Sequence, residues 1–279
     1  MKLYYYKCPN GNFGDDINLW LWKRLFQKPL SQCLDENTLF IGIGTILDQQ
    51  IPAIPSKKIV FGSGFGYGFK PRLTDQWEII CVRGPLTATA LGLPINYAIT
   101  DGAVLVRELL PFNDIRGDFV SFVPHHRSAL LGDWKSLCES IDIKYIDPRG
   151  SVEEIISTIR KSTLVLAEAM HAAIIADTYR IPWIPICTSS KILKFKWLDW
   201  TKSLGIQHEF EYAPIPEFDR IFAKYPNITN KNFNVSLNEV RPTFIKILRN
   251  GKKKLSTDRV YNNVYNRMQE SLNRFIEKI

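Results

Sequence analysis

Cysteine is scarce and scattered in this sequence of 279 residues. Cys8, Cys33, Cys81, Cys138 and Cys187 are odd in number, far apart and never in a CxxC pair. That excludes a disulfide framework and points to isolated thiols in a reducing, cytoplasmic setting. Long apolar runs are also lacking. The best candidate, Leu164 to Ile186, is broken by Glu168, His171, Asp177 and Arg180, short of the roughly 20 apolar residues a membrane span needs. The start, Met1-Lys2-Leu3-Tyr4-Tyr5-Tyr6-Lys7, has no secretory h-region and reads as a strand. No GxGxxG and no GxxxxGK[ST] occurs, so the common nucleotide fingerprints are missing. Basic residues are not tied to an RNP-type or helix-turn-helix pattern, which argues against nucleic acid.

What is present is a core-forming chain. Hydrophobic residues make up 45% of it, enough to rule out disorder for most of its length. Short apolar runs alternate with helical stretches: Leu3–Tyr6, Leu39–Ile43, Ile59–Phe61 and Ile79–Val82 read as strands, and Asp15–Phe26 reads as a helix. A second series begins near Asp118, with strands at Phe119–Val123, Ile143–Ile146, Leu164–Ala167 and Trp183–Ile186. Helices at Trp134–Ser140, Val152–Lys161, Ala169–Thr178 and Ile192–Leu204 separate or follow them. Ser151 with Glu154 three residues on is a capping-box pattern for the helix from Val152. The alternation implies an α/β protein with parallel sheets, built as two Rossmann-like domains. The expected divisions are 1–112, 113–212, and a tail over 213–279 that is irregular to residue 236 and then helical.

Charge sits in that tail. Of the net +8, residues 240–279 hold nearly all, with ten basic residues against Asp258, Glu270 and Glu277. Such a tail suits acidic lipid headgroups or phosphorylated carriers, and equally suits a solvated helix face.

Ligands of open α/β sheets bind beyond the carboxyl ends of the strands, so candidate residues are sought there. The search yields Asn12, Gly14, Asp15 and Asp16; Gly62, Ser63 and Gly64; Arg83; Asp101; His125 and Arg127; and Glu168 with His171. The glycines fit a tight turn as well as a ligand. Arg83 follows a strand and precedes Gly84-Pro85, a position expected to aim its guanidinium at the crevice toward a carboxylate or phosphate; local pairing is the other reading. His171 opens a helix of Ala, Ile and Met, either packed in the core or moving protons beside a ligand. Glu168 either orients it or caps the helix. His125 and His126 are adjacent, and no Cys or third His is placed to complete a zinc set, so no metal is expected.

The order of these pieces resembles the polysaccharide pyruvyl transferase family, in particular its branch acting on exopolysaccharides such as succinoglycan. The resemblance rests on MKLYYYKCPNGNFGDDINLWLW (1–22), FIGIGTIL (40–47), VFGSGFGYG (60–68), CVRGPLTATALGL (81–93), TDGAVL (100–105), VPHHRS (123–128), LAEAMHAAIIADTYRIPWIPI (166–186) and KFKWLDW (194–200). It implies a GT-B-like fold, phosphoenolpyruvate as donor and a sugar hydroxyl pair as acceptor, on a lipid-linked oligosaccharide or a polysaccharide at the inner face of the plasma membrane. No cofactor beyond the co-substrate is implied. The family's Arg-Leu-His tripeptide aligns with Ala169-Met170-His171, so the arginine's charge must come from elsewhere: Arg83, Arg127, Lys194 or Lys196. With the donor anions on Arg83 and a lysine at 194–196, His171 would bind the carboxylate or shuttle a proton. Asp15, Asp16 or Asp101 would engage acceptor hydroxyls. The competing readings are a glycosyltransferase of the same architecture using a nucleotide-sugar donor, and a non-catalytic sugar-binding protein.

Overall fold

The computed structural model describes residues 1–26, 30–33, 36–112, 117–226, 228 and 233–279. The chain order is β1 (Lys2–Tyr4), α1 (Phe13–Leu25), α2 (Leu30–Cys33), β2 (Thr38–Ile41), β3 (Lys57–Phe61), β4 (Trp77–Cys81), α3 (Pro85–Leu91) and α4 (Val106–Leu109). Then come β5 (Phe119–Val123), α5 (Trp134–Glu139), β6 (Lys144–Tyr145), α6 (Val152–Arg160), β7 (Ser162–Ala167), α7 (Met170–Thr178) and β8 (Trp183–Cys187). The last elements are α8 (Lys194–Ser203), β9 (Glu211–Tyr212), α9 (Pro216–Lys224), α10 (Arg241–Asn250) and α11 (Asp258–Lys278).

The strands form two all-parallel sheets. The first has the order β1-β2-β3-β4, with Leu3 beside Phe40 and Phe40 beside Ile59. β2 is buried along its whole length, as a strand covered on both faces should be. The second has the order β6-β5-β7-β8-β9. Its direction of growth reverses at β5, which has β6 on one side and β7 on the other. Ligands of doubly wound sheets bind outside the carboxyl ends of the strands at such a reversal. The chain after β5 and after β7 is therefore where chemistry is expected.

Local sequence explains the helices that frame this crevice. α6 buries Val152, Ile155, Ile156 and Ile159 on one stripe, and Ser151 Oγ accepts from the Glu154 N–H at 3.3 Å, the N-cap that the pattern promised. α7 is buried at every residue except His171. α11 places Tyr261, Val264, Tyr265, Met268, Leu272 and Phe275 on a single buried face. It returns to the first sheet, where the Phe275 ring lies 5.7 Å from Phe40 and 5.8 Å from Phe26, and Met268 Sδ lies 3.6 Å from Cys81 Sγ.

The expected irregular stretch over 213–236 needs correction, because it contains α9. Pro216 occupies the first turn of α9, where its missing N–H is harmless, and Phe218 and Phe222 bury one turn apart. The expected boundary at 112/113, on Asn113 and Asp114, lies outside the described residues. No helix among the described residues is long and apolar enough to cross a membrane.

Candidate active site

Five chain segments meet beyond the strand ends. The first is the start of α1. Asn12 does not cap the helix with its side chain; its Nδ2 donates to Asp15 Oδ2 at 2.5 Å, and its backbone N–H donates to Asp16 Oδ2 at 3.2 Å. Phe13 N–H donates to Pro148 O at 2.8 Å, tying this turn to the loop after β6. Gly14 lies directly against α7: a Cβ there would lie 2.2 Å from His171 Nδ1. The imidazole therefore rests on bare backbone, and any larger residue at position 14 would displace it.

His171 Nε2 is 3.8 Å from Asp101 Oδ1, too far for a hydrogen bond. Asp101 is fully buried; its Oδ1 accepts from Ala103 N–H at 3.0 Å, while Oδ2 has no partner. His171 Nε2 has none either. Leaving such atoms unpaired costs about 1–3 kcal/mol each, an arrangement that a bound ligand would relieve.

Burial shifts these groups toward neutrality. Asp15 is pushed up to about 7, chiefly by burial, with Asp16 and Asp101 adding and the Asn12 bond and Lys196 opposing. Burial likewise raises Asp101 to about 6 against the pull of Arg83, and raises Asp16. His171 falls to about 3, first through burial and then through Lys196 and Arg83. His126 falls to about 3, and His125 well below its ordinary value, again through burial, with Lys196 and Arg127 nearby. The histidines are therefore neutral at pH 7. The half-buried Lys196, in the first turn of α8, registers at Asp15, Asp101, His125, His126 and His171 alike. An ammonium among neutral imidazoles and carboxyls that titrate near neutrality is a site prepared for an anion.

Arg83 departs from its expected role. Its guanidinium does not reach the crevice but lies wholly buried. Nε donates to Asp199 Oδ2 at 3.0 Å, Nη1 to Thr45 Oγ1 at 2.7 Å and Nη2 to Phe65 O at 2.9 Å. Gly64 makes room for it, since a Cβ there would lie 2.2 Å from Cζ. Thr87 completes the brace by donating N–H to Asp199 Oδ1 and its hydroxyl to Oδ2. Asp199 lies on α8 three residues after Lys196, so Arg83 fixes the helix that carries Lys196.

Other expected site residues serve the framework. Gly62 packs on Gly102, and Ser63 Oγ donates to Ile41 O at 3.1 Å. Glu168 neither orients His171 nor caps α7, whose N-cap is Ala169. It is fully buried, its carboxyl raised by burial; Oε2 accepts from His125 N–H at 2.9 Å and Oε1 from Thr188 N–H at 3.2 Å, joining three strand ends. Lys194 is exposed, with Nζ 5.3 Å from the Tyr212 ring centre. Arg127 is half-buried over Phe222 at 4.3 Å and donates from Nη2 to Pro226 O at 3.1 Å.

Residues 12–190 match the model of a family described as polysaccharide pyruvyl transferase. The chain belongs to the polysaccharide pyruvyl transferase family. It is 43% identical over 218 residues to the succinoglycan biosynthesis protein ExoV of Rhizobium meliloti (strain 1021), an alignment covering 77% of this chain and 68% of that protein. No solved structure matches it. The family match opens at Asn12 and takes in Asp15, Asp101, His125 and His171. Lys196 and Asp199 fall just past its end.

Sequence reasoning missed two supports of this candidate site in the pyruvyl transferase family chain. One is Asp199, whose signal was its position three residues after Lys196. The other is Asn18, fully buried in α1: Oδ1 accepts from Ile43 N–H at 2.6 Å, and Nδ2 donates to Ile43 O at 2.8 Å. It seats α1 on the end of β2. An amide between the core residues Ile17 and Leu21 was the available clue.

Proposed function

We propose that this enzyme moves pyruvate from phosphoenolpyruvate to two hydroxyls of one sugar in an exopolysaccharide repeat unit, forming a ketal. One observation carries the reading: Asp101 Oδ2 and His171 Nε2 are buried without partners beside Lys196, at the uncapped start of α7. Phosphoenolpyruvate brings a carboxylate and a phosphate, and helix starts and ammonium groups receive such anions.

The reaction balances without a cofactor. Two hydroxyl protons leave the acceptor; one ends on the methylene carbon, which becomes methyl, and the other leaves with phosphate. Two C–O bonds form at C2 as the C2–O phosphate bond breaks. Asp101, part-protonated near neutrality, donates to the methylene carbon. Asp15, ionising near pH 7, accepts the proton of an attacking hydroxyl, with Asp16 beside it. Neutral His171 donates from Nε2 to the donor carboxylate. Lys196 holds phosphate, and Arg83, paired with Asp199, holds the helix that presents it.

The proposed architecture is GT-B-like: Rossmann-like domains over 1–112 and 113–212, with the donor between them and the segment over 213–279 behind. The acceptor is proposed to be lipid-linked and met at the cytoplasmic face of the membrane. The basic tail supports attachment there less than its charge suggests. Lys252 and Lys278 pair with Glu209 and Glu78, Arg274 with Glu270, and Arg267 donates to Asn96 O.

The test is acceptor-dependent phosphate release from phosphoenolpyruvate. Wild type should release it, and His171→Ala and Lys196→Ala should each lose about 100-fold or more in kcat/KM. Competition by a nucleoside diphosphate instead of phosphoenolpyruvate would establish the nucleotide-sugar reading.

A further inference from the structure

We propose that Tyr6 and Tyr67, with Arg127 near both, form a sugar-stacking subsite at the mouth of the crevice that holds the acceptor. This rests on the pyruvyl-transfer reading for the identity of the acceptor, though not for the presence of the subsite. Tyr6 follows β1, Tyr67 lies in the loop after β3, and Arg127 follows β5, so three strand ends from both sheets contribute. Tyr6 and Tyr67 are 53% and 46% exposed, so both rings are open to a ligand. Both hydroxyls lie within electrostatic reach of the Arg127 guanidinium, and Tyr6 also within reach of Asp15. Arg127 in turn registers at His125 and His126. Tyr6 is therefore close to the Asp15 side of the site, and both tyrosines are close to Arg127.

The loop that presents Tyr67 is held on both sides of it. Phe65 N–H donates to Thr87 Oγ1 at 3.1 Å, and its ring meets Phe195 edge-on at 5.9 Å. A Cβ on Gly66 would lie 2.8 Å from Thr45 Cγ2 and 2.9 Å from Leu193 Cδ2. Gly68, at φ +58°, packs on Gln49, which exchanges hydrogen bonds with the backbone of Phe69 at 2.9 and 2.5 Å. A backbone held on both sides of an exposed ring loses little entropy on binding. Pyranose rings offer an apolar C–H face to stack on such phenols, while their hydroxyls suit a guanidinium and a carboxylate. The donor, small and anionic, has no such face.

The experiment compares wild type with Tyr6→Ala, Tyr67→Ala and Tyr67→Phe, using phosphoenolpyruvate and depyruvylated succinoglycan repeat oligosaccharide. The alanine variants should raise acceptor KM about tenfold, with donor KM unchanged and Tyr67→Phe close to wild type. Acceptor KM unchanged in both alanine variants, or donor KM rising in step with it, would overturn the subsite. Should wild type fail to consume phosphoenolpyruvate, the pyruvyl-transfer reading falls by itself, and calorimetric binding of the same oligosaccharide decides the subsite. Weaker binding by the alanine variants upholds it. Equal binding by variants and wild type, or none by wild type, removes it.

Discussion

Arg83 Nε lies 3.0 Å from Asp199 Oδ2, and neither side chain touches solvent. The pair joins the turn after β4 to α8, and α8 carries Lys196 into the site. Breaking a buried pair from one side strands a charge. Asp199→Ala should therefore lower stability by about 3–5 kcal/mol, read by urea denaturation. A loss below about 1 kcal/mol would mean that Arg83 finds water or another partner.

Lys196 and Lys194 separate a site cation from a surface one. Lys196→Ala should raise donor KM at least about tenfold, while Lys194→Ala leaves it within about twofold. Equal effects would show that α8 presents both ammonium groups to the ligand.

Gly14→Ala tests the seat of His171. The added methyl group would overlap the imidazole, and displacement by about 1 Å can cost about 100-fold in rate. The expected result is a fall in kcat of that order with circular dichroism unchanged. Full activity would place His171 outside the chemistry.

The acidic pair gives a pH signature. Asp15 titrates near 7 in the folded chain against 3.8 for an unperturbed carboxyl, so the native state holds the extra proton. Its contribution to stability is complete below about pH 4 and is lost as pH rises through about 7. Asp15→Asn should gain stability relative to wild type at pH 8 and little or none at pH 4, in paired denaturation curves. Parallel curves at both pH values would contradict the burial of this carboxyl.

Phe275→Ala should cost about 3–5 kcal/mol, because the ring packs on Phe26, Phe40 and Phe61. Thermal unfolding checks it. An unchanged midpoint would mean that α11 is dispensable to the first sheet.

Periodicity in the sequence revealed what depends on neighbours. The strand runs from Leu39 and Phe119, and the Ser151 cap of α6, all follow from residues within a few positions of one another. The family resemblance drew attention to the segments holding Asp15, Asp101 and His171. The fate of Arg83 could not be read locally, since its partner Asp199 lies 116 residues later. Glu168 misled for the same reason: its acceptors serve His125 and Thr188, 43 and 20 residues away. α9 was hidden because a Pro- and Asn-rich composition outweighed the apolar spacing of Phe218 and Phe222. Lys194 and Lys196 looked equivalent as letters, and only the roll of α8 distinguishes them.

The return of α11 to the first sheet has a consequence for how the protein is made. Cys81 meets Met268, 187 residues further along. At the usual pace of translation, about 5–20 residues per second, that interval lasts about 10–40 s. Throughout it, the nascent sheet and the end of α1 present Phe40, Phe61 and Phe26 without the helix that will cover them. Growth temperature and the supply of chaperones should therefore affect the yield of folded enzyme.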